Sequence, residues 1–183
     1  MQYISPIDRA VDQWFLLERM DWLTPLVFYF TELAEWRVVM VLAIVSLVYF
    51  WRKKEMAKMV GLAVSSMGSV VTVFIMKNWI ARPRPMHSVY TESLASFPSF
   101  HATAAVAFYG LLFYFLISGV ANKTHQKIYA IFTALFILFI GFSRLYLGVH
   151  FLSDVVAGYL VGIVWLALGV LIAKKYSKNK NIS

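Results

Sequence analysis

Five long uncharged runs organise the chain, at residues 38–51, 59–76, 93–122, 128–143 and 155–173, and every charged residue lies between or outside them. An α-helix rises 1.5 Å per residue, so a bilayer core of roughly 30 Å takes about 20 apolar residues to cross. The pattern therefore predicts an all-α polytopic membrane helix bundle with five spans. The first run, VVMVLAIVSLVYFW, has only 14 residues. Its helix is expected to extend back past Arg37, whose long stem can carry the guanidinium to the interface.

The polar pattern changes ahead of the first run. IDRAVDQWFLLERMDW interleaves charged and apolar positions as an N-terminal interfacial amphipathic helix does. The apolar stretch Trp22–Thr31 covers 10 residues, too few for an ordinary crossing. A sixth, tilted span from about Asp12 to Ala34 is the alternative. Further along, the Arg82-Pro83 and Arg84-Pro85 steps disfavour helix, so the second span should end before them. Pro98 suits the first helical position of the third span, where its missing N–H would be unpaired anyway. No repeat or linker divides the sequence. It is read as a single integral-membrane domain over 1–183, with 1–36 interfacial or partly inserted and 77–154 carrying the chemistry.

Composition agrees: 61% of residues are hydrophobic and 14% charged, against about 25% charged in soluble domains. With no cysteine, disulfides, thiolate metal sites and thiol nucleophiles are excluded. The N-terminus lacks the basic start and short apolar run of a cleavable leader, so the first spans are expected to direct insertion. A net charge of +8 would suggest nucleic acid in a soluble protein; here it follows membrane topology, and no nucleic-acid partner is expected. Arg52, Lys53, Lys54, Lys58, Lys123, Lys127, Lys174, Lys175, Lys178 and Lys180, ten of the 17 basic residues, fall in three segments on one side, with Glu55 the only one of nine acids there. The positive-inside bias makes that side cytoplasmic.

The unusual polar residues fall on the other side, in three clusters: Lys77 with Arg84-Pro85; Pro98-Ser99-Phe100-His101; and Ser143-Arg144 followed by His150 and Asp154. Phosphoryl transfer needs a nucleophile, a proton donor for the leaving oxygen and several cationic donors around the equatorial oxygens. Each is present. At i, i+4 spacing, His150 and Asp154 would share one helix face, where the carboxylate can hold one imidazole tautomer. The backbone N–H groups of Ser99, Phe100 and their neighbours at a helix start would point at an anion.

These clusters resemble the three-part signature of the type-2 phosphatidic acid phosphatase superfamily, the lipid phosphate phosphatases: Lys, six residues, Arg-Pro; Pro-Ser-Gly-His; and Ser-Arg, five residues, His, three residues, Asp. The first and third match fully, and the second has Phe100 in place of glycine. The resemblance implies that His150 is a nucleophile forming a phosphohistidine, that Asp154 orients it, and that His101 is the general acid. It implies phosphate binding by Lys77, Arg84, Ser99, Phe100 and Arg144. No metal and no cofactor are expected, because the three cations already surround the phosphate and repel a metal ion.

The expected function is hydrolysis of a lipid phosphate or pyrophosphate at the extracytoplasmic face of the bacterial cell membrane. Undecaprenyl pyrophosphate leads, because an outward site matches where that carrier is recycled; phosphatidylglycerophosphate and phosphatidate are the alternatives. Two readings from other classes compete. A non-catalytic lipid-phosphate binder or transporter would bind without releasing phosphate, and a vanadate haloperoxidase, similar in its pocket, would oxidise bromide. Arg82 has two readings, a second phosphate contact or an interfacial anchor.

Overall fold

The computed structural model describes residues 4–180; residues 1–3 and 181–183, the two ends of the 1–183 domain reading, lie outside the described residues, as does the Lys180 side chain of the charge count. All regular structure among the described residues is helical. Helix α1 (Pro6–Glu18) starts at Ser5, whose hydroxyl accepts the Asp8 N–H at 3.0 Å, with Pro6 in its first turn. It buries Asp8 and Phe15. The Phe15 ring meets those of Phe142 and Tyr146 at 5.4 and 6.3 Å between centroids, which fastens the amphipathic helix to the bundle.

The chain leaves α1 at Arg19 and turns before α2 (Thr24–Thr31), which tightens over Glu32–Ala34 and joins α3 (Trp36–Arg52) at a bend of 43°. The continuous span from Asp12 to Ala34 is therefore not formed. Glu18, Arg19 and Asp21 would place three charges in hydrocarbon, and the break is instead pinned by Tyr146, whose hydroxyl accepts from Met20 N at 2.9 Å and donates to Met20 O at 3.0 Å. Helix α3 does begin ahead of Arg37. Glu35 caps it, accepting the Arg37 N–H at 2.7 Å.

Four helical stretches are long and apolar enough to cross a bilayer: α4 (Met56–Ile80), Phe100–Ile117, α7 (Lys123–Tyr146) and Leu152–Asn179 of α8 (Leu152–Lys180). The bent pair of Thr24–Ala34 with Trp36–Arg52 is a fifth when taken as one broken span. Helix α4 stops before the prolines as expected, at Ala81 in a left-handed conformation with φ of 48°, a strain of roughly 1–2 kcal/mol for a residue with a Cβ. The Phe100–Ile117 stretch comprises α5 (Phe100–Ala104), one π-helical turn at Ala105–Gly110, and α6 (Leu111–Ile117). Inside that turn Ala107 O accepts a 2.8 Å hydrogen bond from Ser65 of α4, a polar tie between spans of the kind bilayers favour. Pro98 does not open the helix; Ser99 caps it and Phe100 is its first residue, with Pro98 behind a cis bond from Phe97.

Phe50, Leu62, Phe108, Leu111 and Ile140 form the centre of the bundle, while Phe74, Phe132, Leu135, Leu160 and Ile163 remain exposed on its outside. That inversion suits a lipid solvent. The start of α5 presses on α8 at Gly158, where a Cβ would lie 2.6 Å from Ser99 O and 3.0 Å from the Ala102 Cβ. This close approach fixes the start of α5, the helix that carries His101, against the first turns of α8. The 81–99 and 147–151 segments thus meet at one end of the bundle.

Candidate active site

The turn from α7 to α8 delivers His150. Leu147 and Val149 bury their side chains with Phe15, Val27 and Tyr146, and Gly148 supplies the positive φ of 64° that reverses the chain. Val149 N–H then returns to Arg144 O at 3.2 Å. His150 lies in this turn, two residues before α8, so the pair expected on one helix face is made differently. Asp154 sits in the first turn of α8 and reaches back, its Oδ2 accepting the Phe151 N–H at 2.8 Å and standing 3.5 Å from His150 Nδ1. Ser96 Oγ donates to the same oxygen, and Arg82 Nη1 donates to Oδ1 at 2.6 Å. The carboxylate is fully buried and fixed on both oxygens.

The three cations converge from separate elements. Two prolines hold the segment around Arg84 extended; its Nη1 donates to Val149 O at 2.7 Å and lies 3.3 Å from His150 Nε2. Lys77, in the last turn of α4, directs its ammonium at Ala95 O and Ser96 O. Arg144 is 0% exposed. It donates to the Tyr90 hydroxyl at 2.6 Å and to Thr31 Oγ1 at 3.4 Å, and it is paired with Glu92, which also pairs with Arg84 at 2.6 Å.

His101 is buried at the start of α5. Ser99 is fully buried, and its hydroxyl accepts the Ala102 N–H at 3.4 Å. Its own N–H, expected to face an anion, is instead bound to Asp154 O at 3.0 Å. Phe100 has an ordinary helical conformation, so nothing in the backbone here demands glycine. Its ring packs on the bundle centre and lines a cavity of about 560 Å³ shared with Lys77, Arg84, Glu92 and His101 and walled toward α3 and α4 by Trp36, Val70 and Phe74. A second groove of about 610 Å³, lined by Phe113, Phe132 and Phe136, touches none of these groups.

Buried side-chain nitrogens without a partner among the described residues include His101 Nε2 and Arg144 Nε, while His150 Nδ1, also without a hydrogen bond, faces Asp154 Oδ2 at 3.5 Å. Buried polar atoms are ordinarily satisfied, so their concentration at one site marks a place built for a polar ligand. Burial, then the charges of Arg144, Arg84 and Lys77, hold the His150 imidazole well below its usual range, leaving it a neutral base at neutral pH. Burial pushes the Glu92 carboxyl up, but Arg144 and Arg84 outweigh it and hold it below the usual carboxylate range. Among the described residues no three His, Asp or Glu side chains are grouped so as to hold a metal ion.

Sequence reasoning missed Glu92, Tyr90, Ser96 and Asp8. Glu92 is the single acid between Lys77 and Ser99, a signal available in the sequence. Neither reading of Arg82 holds: it is buried between Asp8, at 2.8 Å, and Asp154.

A family model for the PAP2 superfamily matches residues 58–178. The chain belongs to that superfamily, a family of lipid phosphate hydrolases. It is 29% identical over 164 residues to phosphatidylglycerophosphatase B of Bacillus subtilis strain 168, covering 88% of this chain and 80% of that protein. Its fold is similar to the crystal structure of a transmembrane PAP2-type phosphatidylglycerolphosphate phosphatase from Bacillus subtilis, with a TM-score of 0.80, 28% identity, and coverage of 94% of this chain and 85% of the other. Aquifex aeolicus LpxE is similar as well, with a TM-score of 0.71 at 25% identity over 88% of this PAP2 chain and 93% of that one.

Proposed function

We propose that this PAP2 enzyme hydrolyses the terminal phosphate of a membrane lipid, with His150 as nucleophile and phosphatidylglycerophosphate as the substrate class best supported. The observation that carries the reading is the contact of 3.3 Å between Arg84 and His150 Nε2: a cation that can hold a phosphate oxygen lies beside a neutral imidazole. With its Nδ1 proton toward Asp154, His150 presents the Nε2 lone pair. Attack forms an N–P bond as the P–O bond to the lipid breaks, and His101 gives a proton to the departing oxygen. Water then attacks the phosphohistidine, yielding a proton to His101 and releasing phosphate. Lys77, Arg84 and Arg144 carry the phosphate charge, Arg84 and Arg144 from guanidinium planes suited to two oxygens each.

The Bacillus relatives named for phosphatidylglycerophosphate favour that lipid over the undecaprenyl pyrophosphate expected from sequence. The charge asymmetry supports a site on the extracytoplasmic face of the cell membrane. Phosphate release by the purified enzyme from phosphatidylglycerophosphate, phosphatidate and undecaprenyl pyrophosphate tests both parts. Fastest turnover of the first is the expected result. Preference for the pyrophosphate would reverse the substrate order, and binding without release from any of them would overturn the enzyme reading.

A further inference from the structure

The N-terminal helix α1 lies outside the segment matched by the family model, which begins at residue 58, yet it places a carboxylate three contacts from His150, through Arg82 and Asp154. Asp8 is 2% exposed, and its carboxylate is bonded to Arg82 and Ser153, which adjoin Asp154. Its Oδ2 accepts from Arg82 Nη2 at 2.8 Å and from Ser153 Oγ at 2.8 Å; its Oδ1 accepts the Ser153 N–H at 2.9 Å. Arg82 Nη1 in turn reaches Ser153 Oγ at 2.7 Å and Asp154 Oδ1 at 2.6 Å, and its guanidinium lies over the Phe151 ring at 4.6 Å.

We propose that Asp8 is a positioning residue of the active centre, acting through Arg82 and Ser153 to hold Asp154 in the orientation in which it faces His150. The inference rests on the proposed role of His150. A buried arginine shared between two carboxylates, with Ser153 hydrogen-bonded to Asp8 and to Arg82, is a network in which every member limits the movement of the next. Gathering such charges in a low-dielectric interior is a weak source of stability, so the network is better explained by what it orients. Asp8 also fixes the first turn of α8 at Ser153, the neighbour of Asp154.

The Arg82 charge is divided between two partners. Burial alone would lower the Arg82 guanidinium, and Asp8 and Asp154 together raise it. With Asp8 uncharged, Arg82 bears on Asp154 alone, and the field at His150 becomes more positive. The charged and titratable groups facing this chain of contacts are Arg82 at Asp8, Arg82 and His150 at Asp154, and Lys77, Arg84, Glu92, His101 and Arg144 around His150, with Ser153 and Ser96 as hydrogen-bond donors to the two carboxylates. A more positive field makes an imidazolium harder to form, so the acid limb of the pH–rate profile moves to lower pH.

The test is phosphate release by the full-length enzyme in detergent from a lipid phosphate that the parent hydrolyses, measured over about pH 5 to 9. Asp8→Asn is expected to lower kcat about tenfold or more, as loss of an orienting outer partner does, while KM stays within about twofold and the acid limb moves down. Asp8→Glu, which keeps the charge, should recover part of kcat and return the limb. Asp12→Asn, one turn along the same helix, should retain parental kcat. Parental kcat and pH profile in Asp8→Asn would overturn the proposal, as would an equal loss in Asp12→Asn, which would mean only that α1 must be docked. If Asp8→Asn does not fold, parental kcat in Asp8→Glu is the overturning result, because a carboxylate displaced by one methylene cannot keep this geometry. A parent enzyme that releases no phosphate, or a His150→Ala variant that still turns over, would instead mark failure of the proposed mechanism.

Discussion

Arg84 Nη1 stands 3.3 Å from Nε2 of His150, and Arg84 is held there by carbonyls on both sides, Val149 O at 2.7 Å and Leu94 O at 2.9 Å. A phosphate oxygen bound to this guanidinium would bring phosphorus to the imidazole with little reorganisation, which is the main advantage a preorganised site offers. His150→Ala is therefore expected to lose about 10⁴-fold or more in kcat while retaining measurable lipid-phosphate binding. His101→Ala, which removes a proton donor, should lose about 10²- to 10⁴-fold. Rapid quenching of the parent with radiolabelled substrate should trap an acid-labile, base-stable phosphoenzyme. Its persistence in His150→Ala would assign the nucleophile elsewhere.

On the proposed mechanism, the charge that a divalent ion would neutralise is met by Lys77, Arg84 and Arg144. Activity should survive exhaustive EDTA treatment, and vanadate, which can take the five-coordinate geometry of phosphoryl transfer, should inhibit competitively. Loss on chelation with recovery in magnesium is the contrary outcome.

Glu92 occupies the space between two of those cations, bonded to Arg84 at 2.6 Å and to Arg144 as well. An incoming phosphate dianion competes with this carboxylate for the same guanidinium groups. Glu92→Gln should tighten inhibition by vanadate and inorganic phosphate about tenfold, equivalent to ~1.4 kcal/mol. The same change leaves Arg144 buried without its counter-charge, so thermal stability should fall, by about 1–3 kcal/mol after allowing for the partial exposure of Glu92. Unchanged vanadate inhibition would mean that the carboxylate does not compete with the ligand.

The pH dependence of stability follows from two depressed carboxyls and one depressed imidazole. Burial alone would raise Asp8, but Ser153 and Arg82 outweigh it and lower it; Arg144 and Arg84 do the same for Glu92. A carboxyl lower in the folded than in the unfolded state contributes stability that is complete above the unfolded value, about 4, and lost as pH falls through the folded value. The neutral, buried imidazole of His150 is likewise held below its unfolded value of about 6.5, so melting temperature should begin to decline below about pH 7 and drop more steeply below about pH 5, where the two carboxyls contribute. Asp8→Asn should flatten part of that drop. A melting profile identical to the parent below about pH 4 would remove Asp8 from the account.

Much of this was legible because hydrocarbon permits few solutions. Runs of apolar residues long enough to cross a bilayer become helices, and Lys77, Arg84, His101, Arg144 and His150 then fall at one end by counting alone. Local geometry was less legible. His150 and Asp154 are four apart, yet the positive φ of Gly148 and the back-reaching cap of Asp154 replace the helix face that spacing suggests. Ser99 likewise spends its N–H on Asp154 O, a contact no spacing rule contains. Asp8 was beyond reach, because its ion pair with Arg82 joins residues 74 positions apart, and an amphipathic helix with one buried acid reads the same as one with a solvated acid.

Orientation in the membrane is the remaining expectation that an experiment can decide outright. Ten basic residues, Arg52 to Lys58, Lys123, Lys127 and Lys174 to Lys180, flank the helix ends opposite the segments that carry Lys77, His101 and His150, with Glu55 their sole acidic companion. Basic residues near span ends resist translocation. The reverse orientation would carry all ten across and leave the acidic end inside. The chemistry points the same way, since a phosphate headgroup is not drawn cheaply through roughly 30 Å of hydrocarbon and must meet its site in the leaflet where it already lies. The absence of cysteine makes single-cysteine reporters clean. Met86, 94% exposed in the loop after α4, and Lys178, exposed at the far end of α8, sit at opposite ends of the bundle. In intact cells an impermeant maleimide should label Met86→Cys and spare Lys178→Cys until the membrane is opened. The opposite labelling would place the site in the cytoplasm and require a substrate from the inner leaflet.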